Sequence, residues 1–116
     1  MKVNELKPFG KKIDLVVKAL SKAETREVTS KLDNTTHKVT EAKVADDTGA
    51  VLLTLWDDAI ENVQDGKVYK ITNAYTSLFK NSLRVNIGRY GQIEESTDSL
   101  DQVNEENNIS EKELSQ

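Results

Sequence analysis

Three aromatic residues of this sequence stand among polar and charged neighbours, where a buried core does not require a ring. Trp56 directly precedes two aspartates, and Phe79 is followed by Lys80 in what we interpret as the tip of a β-hairpin. Tyr75 lies between these two rings in the chain. A surface ring can stack on a planar partner, and a neighbouring cation can neutralise an anion on the same partner. These residues are therefore candidates for a binding surface that the surrounding strands must position.

The composition gives little indication of an enzyme active site. The 116-residue chain has no cysteine and a single histidine, His37, which excludes thiolate catalysis, cysteine zinc sites and multi-histidine metal sites. It has no glycine-rich phosphate loop, and we interpret the acid pairs Asp46-Asp47 and Asp57-Asp58 as a turn and a helix cap. We therefore expect a protein that is not an enzyme and that uses no cofactor and no metal.

Alternation of apolar and polar residues dominates the chain before residue 94 and predicts β-strands. In the middle of the chain, the turn DDTG joins two alternating segments into a hairpin over residues 38–56. The segment WDDAIENVQDGK then predicts a short helix, capped by Asp57 or Asp58, and two more strands follow it. Five strands with a helix between the third and the fourth are the order of the all-β OB-fold barrel.

The same alternation predicts which side chains face away from the core. On the third strand Val51, Leu53 and Leu55 point inward, so the residues between them point outward. The outward side chains are Leu52, Thr54 and Trp56 on the third strand, Ser82, Arg84 and Asn86 on the fifth strand, and Glu41 and Lys43 on the second strand. The only Trp of the chain therefore lies on the outer face.

The orientation of Tyr75 stays open at this point. Strict alternation groups it with Tyr69 and Ile71, which would bury it. However, Val68 and Ile71 both have the character of buried residues although three positions separate them, which suggests a β-bulge. After a bulge the alternation restarts in the opposite phase, so Tyr75 could face either side.

Rings interleaved with cations on one barrel face suit a single strand of nucleic acid. Each base has a π-face that stacks on an aromatic side chain for about 1–3 kcal/mol, while Lys or Arg neutralises the phosphates between the bases. The structural alternatives are a Trp56 ring packed under a loop or the helix, and a Phe79 ring folded back into the barrel end. The nearby cations Lys80, Arg84 and Lys43 favour the binding interpretation.

The formal net charge of −4 hides a separation of charge along the chain. Residues 94–116 contain eight acids and one base, whereas residues 1–93 contain 15 bases and 12 acids. The acidic segment lacks aromatic residues and has too little apolar surface to offset the entropy of ordering it. We predict one domain over residues 1–93 and a disordered acidic tail over residues 94–116. That tail is a solubilising segment, a lure for partner proteins, or a mimic of nucleic acid over the basic face.

Three segments of the chain resemble the single-OB-fold single-stranded DNA-binding proteins of archaea, which are similar to the OB-folds of replication protein A. The segments are LKP near the start, DDTGAVLLTLW in the middle and ITNAYTSLFK after the helix. They occur in order and at consistent spacing, and the resemblance covers about residues 5–93. Two departures are the short, almost glycine-free tail and a tyrosine at position 75, where near relatives often carry tryptophan.

The resemblance implies a role for each candidate residue. It implies that Trp56, Tyr75 and Phe79 stack on bases, and it matches a basic position of the family to Arg26 and a β-branched position to Val28. Together with the outward residues, it yields the full expected site. Base stacking is expected from Trp56, Tyr75 and Phe79, phosphate contacts from Lys80, Arg84, Lys43 and Arg26, and hydrogen bonds from Thr54 and Asn86.

We therefore expect a monomer that binds single-stranded DNA with little sequence preference and protects it in replication, recombination and repair. Replication and repair proteins would meet the acidic tail. No signal peptide and no membrane span are expected, so the predicted location is cytoplasmic and nucleoid-associated. One alternative is an OB-fold used for protein contacts in a multi-subunit single-strand binder. Another is an RNA-binding OB-fold, because nothing in the sequence visibly recognises the 2′-hydroxyl.

Overall fold

The computed structural model describes residues 1–29, 31–79, 82–87, 91–97, 100 and 102–110. A short 3-10 turn, Val3–Glu5, precedes the first strand. The strands are β1 (Ile13–Lys22), β2 (Arg26–Thr29), β3 (Thr36–Ala45), β4 (Ala50–Trp56), β5 (Val68–Phe79), β6 (Ser82–Asn86) and β7 (Gln92–Glu95), and helix α1 (Asp58–Asn62) lies between β4 and β5. No helix in these described ranges is long and apolar enough to cross a membrane.

Five of the strands close into a barrel in the order β1, β3, β4, β6, β5 and back to β1. The neighbours are antiparallel except for β4 and β6, which run parallel. These are the five strands that the alternation predicted, with α1 between the third and the fourth, so the predicted OB-fold barrel is confirmed. The short strand β2 pairs with β3, and β7 pairs with β5.

The alternating apolar residues fill the interior of the barrel. On β4 the side chains of Val51, Leu53 and Leu55 are buried, as the alternation predicted. Burying one such side chain contributes about 1.5–3 kcal/mol to folding. The fully buried side chains of the other strands include Leu15 and Val17 on β1, Val44 on β3, Ile71 on β5 and Val85 on β6. One face of each of these strands therefore packs in the core, and the other face lies on the outside of the barrel.

The suspected β-bulge lies on β5, but it falls after Ile71 rather than before it. Between two register pairs, two steps along β1 correspond to three steps along β5, from Ile71 to Ala74. The extra residue, Asn73, adopts a left-handed conformation with φ of 54°, and its N–H donates to Oδ1 of Asp14 at 3.0 Å. Because the bulge shifts the phase of the alternation by one residue, Ala74 points inward and Tyr75 points outward.

One end of the barrel is closed around the buried carboxylate of Asp46, which has 1% of its surface exposed. Its Oδ2 accepts the N–H of Val3 at 2.9 Å, and its Oδ1 accepts the N–H groups of Thr48 at 2.8 Å and Gly49 at 3.2 Å. The last two bonds are those of an aspartate-stabilised turn, as the sequence predicted. The first ties the N-terminal turn to the β3–β4 hairpin.

Part of the segment that we assigned to a disordered tail, residues 94–116, contacts the barrel. Strand β7 runs into it, and a later part pairs with the start of β4. The N–H of Ala50 donates to the carbonyl of Asn107 at 2.9 Å, and the N–H of Ile109 donates to the carbonyl of Ala50 at 2.8 Å. The compositional argument considered only apolar burial, whereas this contact uses backbone pairing along an open strand edge. Residues 111–116 lie outside the described residues.

Candidate nucleic-acid interface

Side chains from four neighbouring strands form rows across the outer face of the barrel. The register aligns Glu41, Thr54, Asn86 and Tyr75 in one row, from β3 through β4 and β6 to β5. The adjoining row consists of Lys43, Leu52, Arg84 and Ser77, and the row on the other side consists of Arg26, Val39 and Trp56. Rings and cations that are distant in the sequence therefore share one face, as the alternation predicted for the strands that carry them.

A groove of about 310 Å³ crosses this face. Seven of the ten predicted site residues line it: Arg26, Val28, Thr54, Trp56, Phe79, Arg84 and Asn86. Tyr75 and Lys43 lie on the same face but do not line the groove, and Lys80 lies outside the described residues.

Four further residues line the groove but were not among the predicted site residues: Ser77, Leu78, Val39 and Glu41. Alternation already places Glu41 on the outer face, and the same alternation on β3 could have revealed Val39. Ser77 could be placed only after the bulge on β5 had been located.

The three candidate rings are all half-exposed. The exposed fractions are 44% for Trp56, 42% for Tyr75 and 50% for Phe79. Neither a Trp56 ring packed under a loop nor a Phe79 ring folded into the barrel fits these values. Covering the exposed apolar surface of these rings with a flat apolar partner would therefore lower the free energy by about 25 cal/mol per Å² removed from water.

The groove contains two arginine side chains that share one carboxylate. Oε1 of Glu41 accepts from Arg26 Nη2 at 2.7 Å and from Arg84 Nη1 at 3.0 Å. Arg84 also donates from Nε to Oγ of Ser82 at 3.2 Å, and its Cζ lies 5.3 Å from the centroid of the Phe79 ring. Glu41 thus holds both guanidinium groups in the groove while offsetting one of their two charges, and Arg84 is placed between a carboxylate and a ring.

Polar side chains complete the floor of the groove. Asn86 donates from Nδ2 to Oγ of Ser77 at 2.8 Å, which links β6 to β5 across the register. The Thr54 side chain is half-buried next to Asn86 on the parallel strand. Hydroxyl and amide groups can both donate and accept, so they suit hydrogen bonds to a sugar or to the edge of a base.

Asp57 holds the strand end that carries Trp56. Its Oδ1 accepts the backbone N–H of Lys38 at 2.9 Å, and its Oδ2 lies 2.9 Å from Nδ1 of His37. These two hydrogen bonds, the backbone one first, lower the pKa of the Asp57 carboxyl below its usual value. Asp57 occupies the N-cap position of α1, as predicted, but its carboxylate turns to β3 and makes no cap hydrogen bond. It therefore fastens the end of β4 beside Trp56 instead of stabilising the helix.

The side chains in the part of the chain that the structure describes do not form a metal site. In these ranges, no group of three or more His, Cys, Asp or Glu side chains is arranged to hold a metal ion. The arrangement that the structure does contain is a groove with rings, two guanidinium groups and amide or hydroxyl groups. That set of groups can stack on flat apolar rings and pair with anions.

The closed barrel and its helix define an OB-fold protein, and a groove lined by rings and arginine side chains crosses its outer face. The family is also shown by comparison of the sequence. A family described as "Single-stranded DNA binding protein Ssb-like, OB fold" matches residues 6–95, and the chain belongs to this family.

Individual relatives agree with this assignment. The single-stranded DNA binding protein Ssb of Saccharolobus solfataricus is 36% identical over 97 residues, which are 84% of this chain and 64% of that protein. This chain therefore aligns with less than two thirds of that relative. A solution structure of a hypothetical Arabidopsis thaliana protein superposes with a TM-score of 0.82 at 27% identity, covering 100% of this chain and 86% of that one.

The fold has a further solved neighbour. The second OB-fold domain of replication protein A from Methanococcus maripaludis superposes with a TM-score of 0.67 at 22% identity and covers 87% of this chain and 98% of that domain. At this identity the likeness concerns the fold alone. It places the five closing strands and α1 in the arrangement of a solved OB-fold domain.

Proposed function

We propose that this protein binds single-stranded DNA across the outer face of the barrel with little sequence preference. The observation that carries the proposal is the set of three half-exposed rings, Trp56, Tyr75 and Phe79, on one face with Arg26 and Arg84. Every base has a π-face, so stacking tolerates any sequence, and the guanidinium groups pair with the phosphates between the bases. Membership of the Ssb-like family supports DNA as the ligand.

The remaining predicted residues extend this site. Lys43 lies in the same row as Arg84 but outside the groove, where it can contact a phosphate of a strand that leaves Arg84. Val28 lines the groove near Arg26 and provides an apolar contact for a sugar or base. Thr54 and Asn86 provide hydrogen bonds. Lys80 remains a predicted phosphate contact that lies outside the described residues.

In the cell this binding would protect single strands in replication, recombination and repair. We propose that the protein acts as a monomer and that residues near the acidic C-terminus meet other replication and repair proteins. The acidic composition of residues 94–116, with eight acids and one base, supports the second proposal, because it repels nucleic acid. Although parts of this segment pair with the barrel, Glu94, Glu105 and Glu106 are exposed and accessible to proteins.

The test uses the only Trp of the chain, Trp56, as a reporter of stacking. We expect oligo-dT to quench its fluorescence, and duplex DNA, whose bases are already stacked, to quench it far less. The logarithm of affinity should fall with the logarithm of salt concentration by about 0.7 per phosphate contact, hence by about 2 for Arg26, Arg84 and Lys43 together. Oligo-U in a parallel titration measures the preference for DNA over RNA. Absence of both quenching and salt-dependent binding would refute the proposal and favour an OB-fold used for protein contacts.

A further inference from the structure

A second ring with cations lies outside the groove, in the loop that precedes β1. Phe9 is 72% exposed, which is more than Trp56, Tyr75 or Phe79. Lys7, Lys11 and Lys12 in the same loop are exposed, and within the described residues none of them forms an ion pair. We call Phe9 with these three lysines the N-terminal patch.

Hydrogen bonds fix this loop to the edge of β5 beside Tyr75. The N–H of Gly10 donates to Oγ1 of Thr76 at 2.7 Å, and the N–H of Thr76 donates to the carbonyl of Gly10 at 3.0 Å. The Thr76 hydroxyl also donates to the carbonyl of Lys7 at 2.5 Å. On its other edge this part of β5 pairs with β6, so the loop continues the sheet where a strand neighbour would lie. The row that ends at Tyr75 therefore leads towards the N-terminal patch.

The backbone of the loop is strained at the residue that carries the ring. Phe9 has φ of 61° and Lys12 has φ of 54°, in the left-handed region that bulky residues rarely adopt. Burial of the ring does not compensate for this conformation, since Phe9 is mostly in water. The hydrogen bonds to Thr76 maintain the conformation of the loop without burying the Phe9 ring, and strained backbone of this kind clusters at sites that contact a ligand. The loop thus presents an exposed ring and three exposed lysines beside the end of β5 that carries Tyr75.

We propose that the N-terminal patch extends the nucleic-acid interface beyond Tyr75. A base of the single strand that leaves Tyr75 stacks on Phe9, and Lys7, Lys11 and Lys12 contact the neighbouring phosphates. The ligand class follows from charge complementarity and from continuity with the groove face, and the proposal rests on the proposed function. Asp14, an acid at the start of β1, accepts the N–H of Asn73, and within the described residues it forms no ion pair with these lysines.

A consequence of this geometry is that the patch acts only on strands long enough to reach it. OB-folds cover about 4–16 nucleotides. An oligonucleotide near the lower limit fills the groove and does not reach Phe9, whereas an oligonucleotide near the upper limit contacts both regions. Oligomer length therefore separates the contribution of the N-terminal patch from that of the groove.

The first experiment replaces Phe9 by asparagine, which tolerates the left-handed conformation and preserves the loop. Titration of Trp56 fluorescence with oligo-dT of about 4 and about 15 nucleotides covers both length classes. We expect Phe9→Asn to bind the long oligomer at least about fivefold more weakly and the short oligomer as the wild type does. Thermal unfolding of the variant checks that the barrel is intact. Unchanged affinity for the long oligomer, or an equal loss for both lengths, would overturn the proposal.

A second experiment tests the lysines. The double variant Lys11→Gln, Lys12→Asn should reduce the salt dependence for the long oligomer by about 0.7 per lysine, and that for the short oligomer not at all. Lys70→Gln is the matched control, because this exposed lysine of β5 pairs in register with Val16, does not line the groove and does not belong to the loop of the patch. An identical effect of Lys70→Gln and the double variant, per charge removed, would mean that net charge alone acts and would overturn the proposal.

The two proposals fail in different ways. If wild-type protein binds neither oligomer, or binds without quenching of Trp56, the proposed function fails and the patch proposal falls with it. If wild-type protein binds both oligomers with quenching while Phe9→Asn and the lysine variant match it, only the N-terminal patch is wrong, and the interface ends at Tyr75.

Discussion

Two carboxylates organise two different regions of this molecule, and their partners differ in kind. At the closed end of the barrel, Asp46 is satisfied by backbone N–H groups of Val3, Thr48 and Gly49, whose positions the fold fixes. In the groove, Glu41 is satisfied by the guanidinium groups of Arg26 and Arg84, which end flexible side chains. The first arrangement, which also includes the Thr48 hydroxyl as a donor at 2.6 Å, is confined to the N-terminal turn and the β3–β4 hairpin. The second can be exchanged, because a phosphate can replace Glu41 at each arginine.

This difference separates stability from function. Replacing Asp46 leaves buried N–H groups without an acceptor, which costs stability whatever the ligand is. Replacing Glu41 leaves two cations in a groove that is proposed to bind an anion. The variants below test whether the two carboxylates behave as differently as their partners indicate.

The largest effect is expected for Asp46→Ala. The change removes the acceptor of three backbone N–H groups, and each unsatisfied buried group costs about 1–3 kcal/mol. We expect the free energy of unfolding to fall by about 3 kcal/mol or more, measured by urea denaturation. The control is Asp47→Ala, whose exposed carboxylate pairs with Lys2 at the surface and should matter little. If both variants unfolded at the same urea concentration, Asp46 would not organise this end of the barrel.

The next largest effect is expected for Phe79→Ala, and it should appear in binding rather than in folding. Removal of one stacking ring should weaken binding of oligo-dT by about 1–3 kcal/mol. The unfolding midpoint should change little, because half of the ring is already in water. Quenching of Trp56 remains available as the signal. Leu32→Ala is a useful control, since this side chain is 99% exposed and does not line the groove. A variant that unfolds but binds normally in its folded fraction would show that Phe79 is a core residue.

A smaller effect, of opposite sign, is expected for Glu41→Gln. The change adds one unit of positive charge to the groove and releases Arg26 and Arg84 for phosphates. We expect affinity for oligo-dT to rise by up to about tenfold, or 1.4 kcal/mol, with a steeper salt dependence. The free energy of unfolding should fall by about 1–3 kcal/mol, because the side chains of Glu41 and Arg84 are only 17% and 15% exposed and lose their charge-assisted hydrogen bond. Weaker binding would instead show that Glu41 must hold the arginines in place, and its pairing would then be as permanent as that of Asp46.

The sequence alone identified the outer face with good accuracy where a strand obeys strict alternation. Thr54, Trp56, Arg84 and Asn86 all line the groove, because β4 and β6 are regular and their inward residues are plainly apolar. Tyr75 could not be oriented, since a bulge depends on how β5 meets β1 and not on β5 itself. Alternation is a property of one strand, so it fails where two strands set the geometry.

Contacts between distant segments were beyond the reach of sequence analysis. The hydroxyl of Ser110 accepts the N–H of Leu52 at 2.8 Å, although 58 positions separate the two residues. Nothing in the polar composition around Ser110 indicates a partner. The docking of the loop at Gly10 on Thr76 is similar, because one glycine and one threonine have many possible neighbours. The sharing of Glu41 by two arginines required the register of β2, β3 and β6 together.

The smallest effect concerns Asp57, which resembles Asp46 in accepting a backbone N–H but lies at the surface beside Trp56. Because its pKa is lowered in the folded protein, its carboxylate stabilises the fold above the usual value of 3.8, and that stability is lost as the pH falls through the lowered folded pKa. We therefore expect the unfolding midpoint of wild-type protein to fall between about pH 5 and pH 2 by more than that of Asp57→Asn. Trp56 fluorescence and circular dichroism, followed over the same range, separate a local loss of the β4 end from global unfolding. Identical pH profiles of the two proteins would show that the hydrogen bonds to Lys38 and His37 do not stabilise the charged form. In that case backbone pairing alone would hold the end of β4 that carries Trp56. The groove would then keep its shape at low pH.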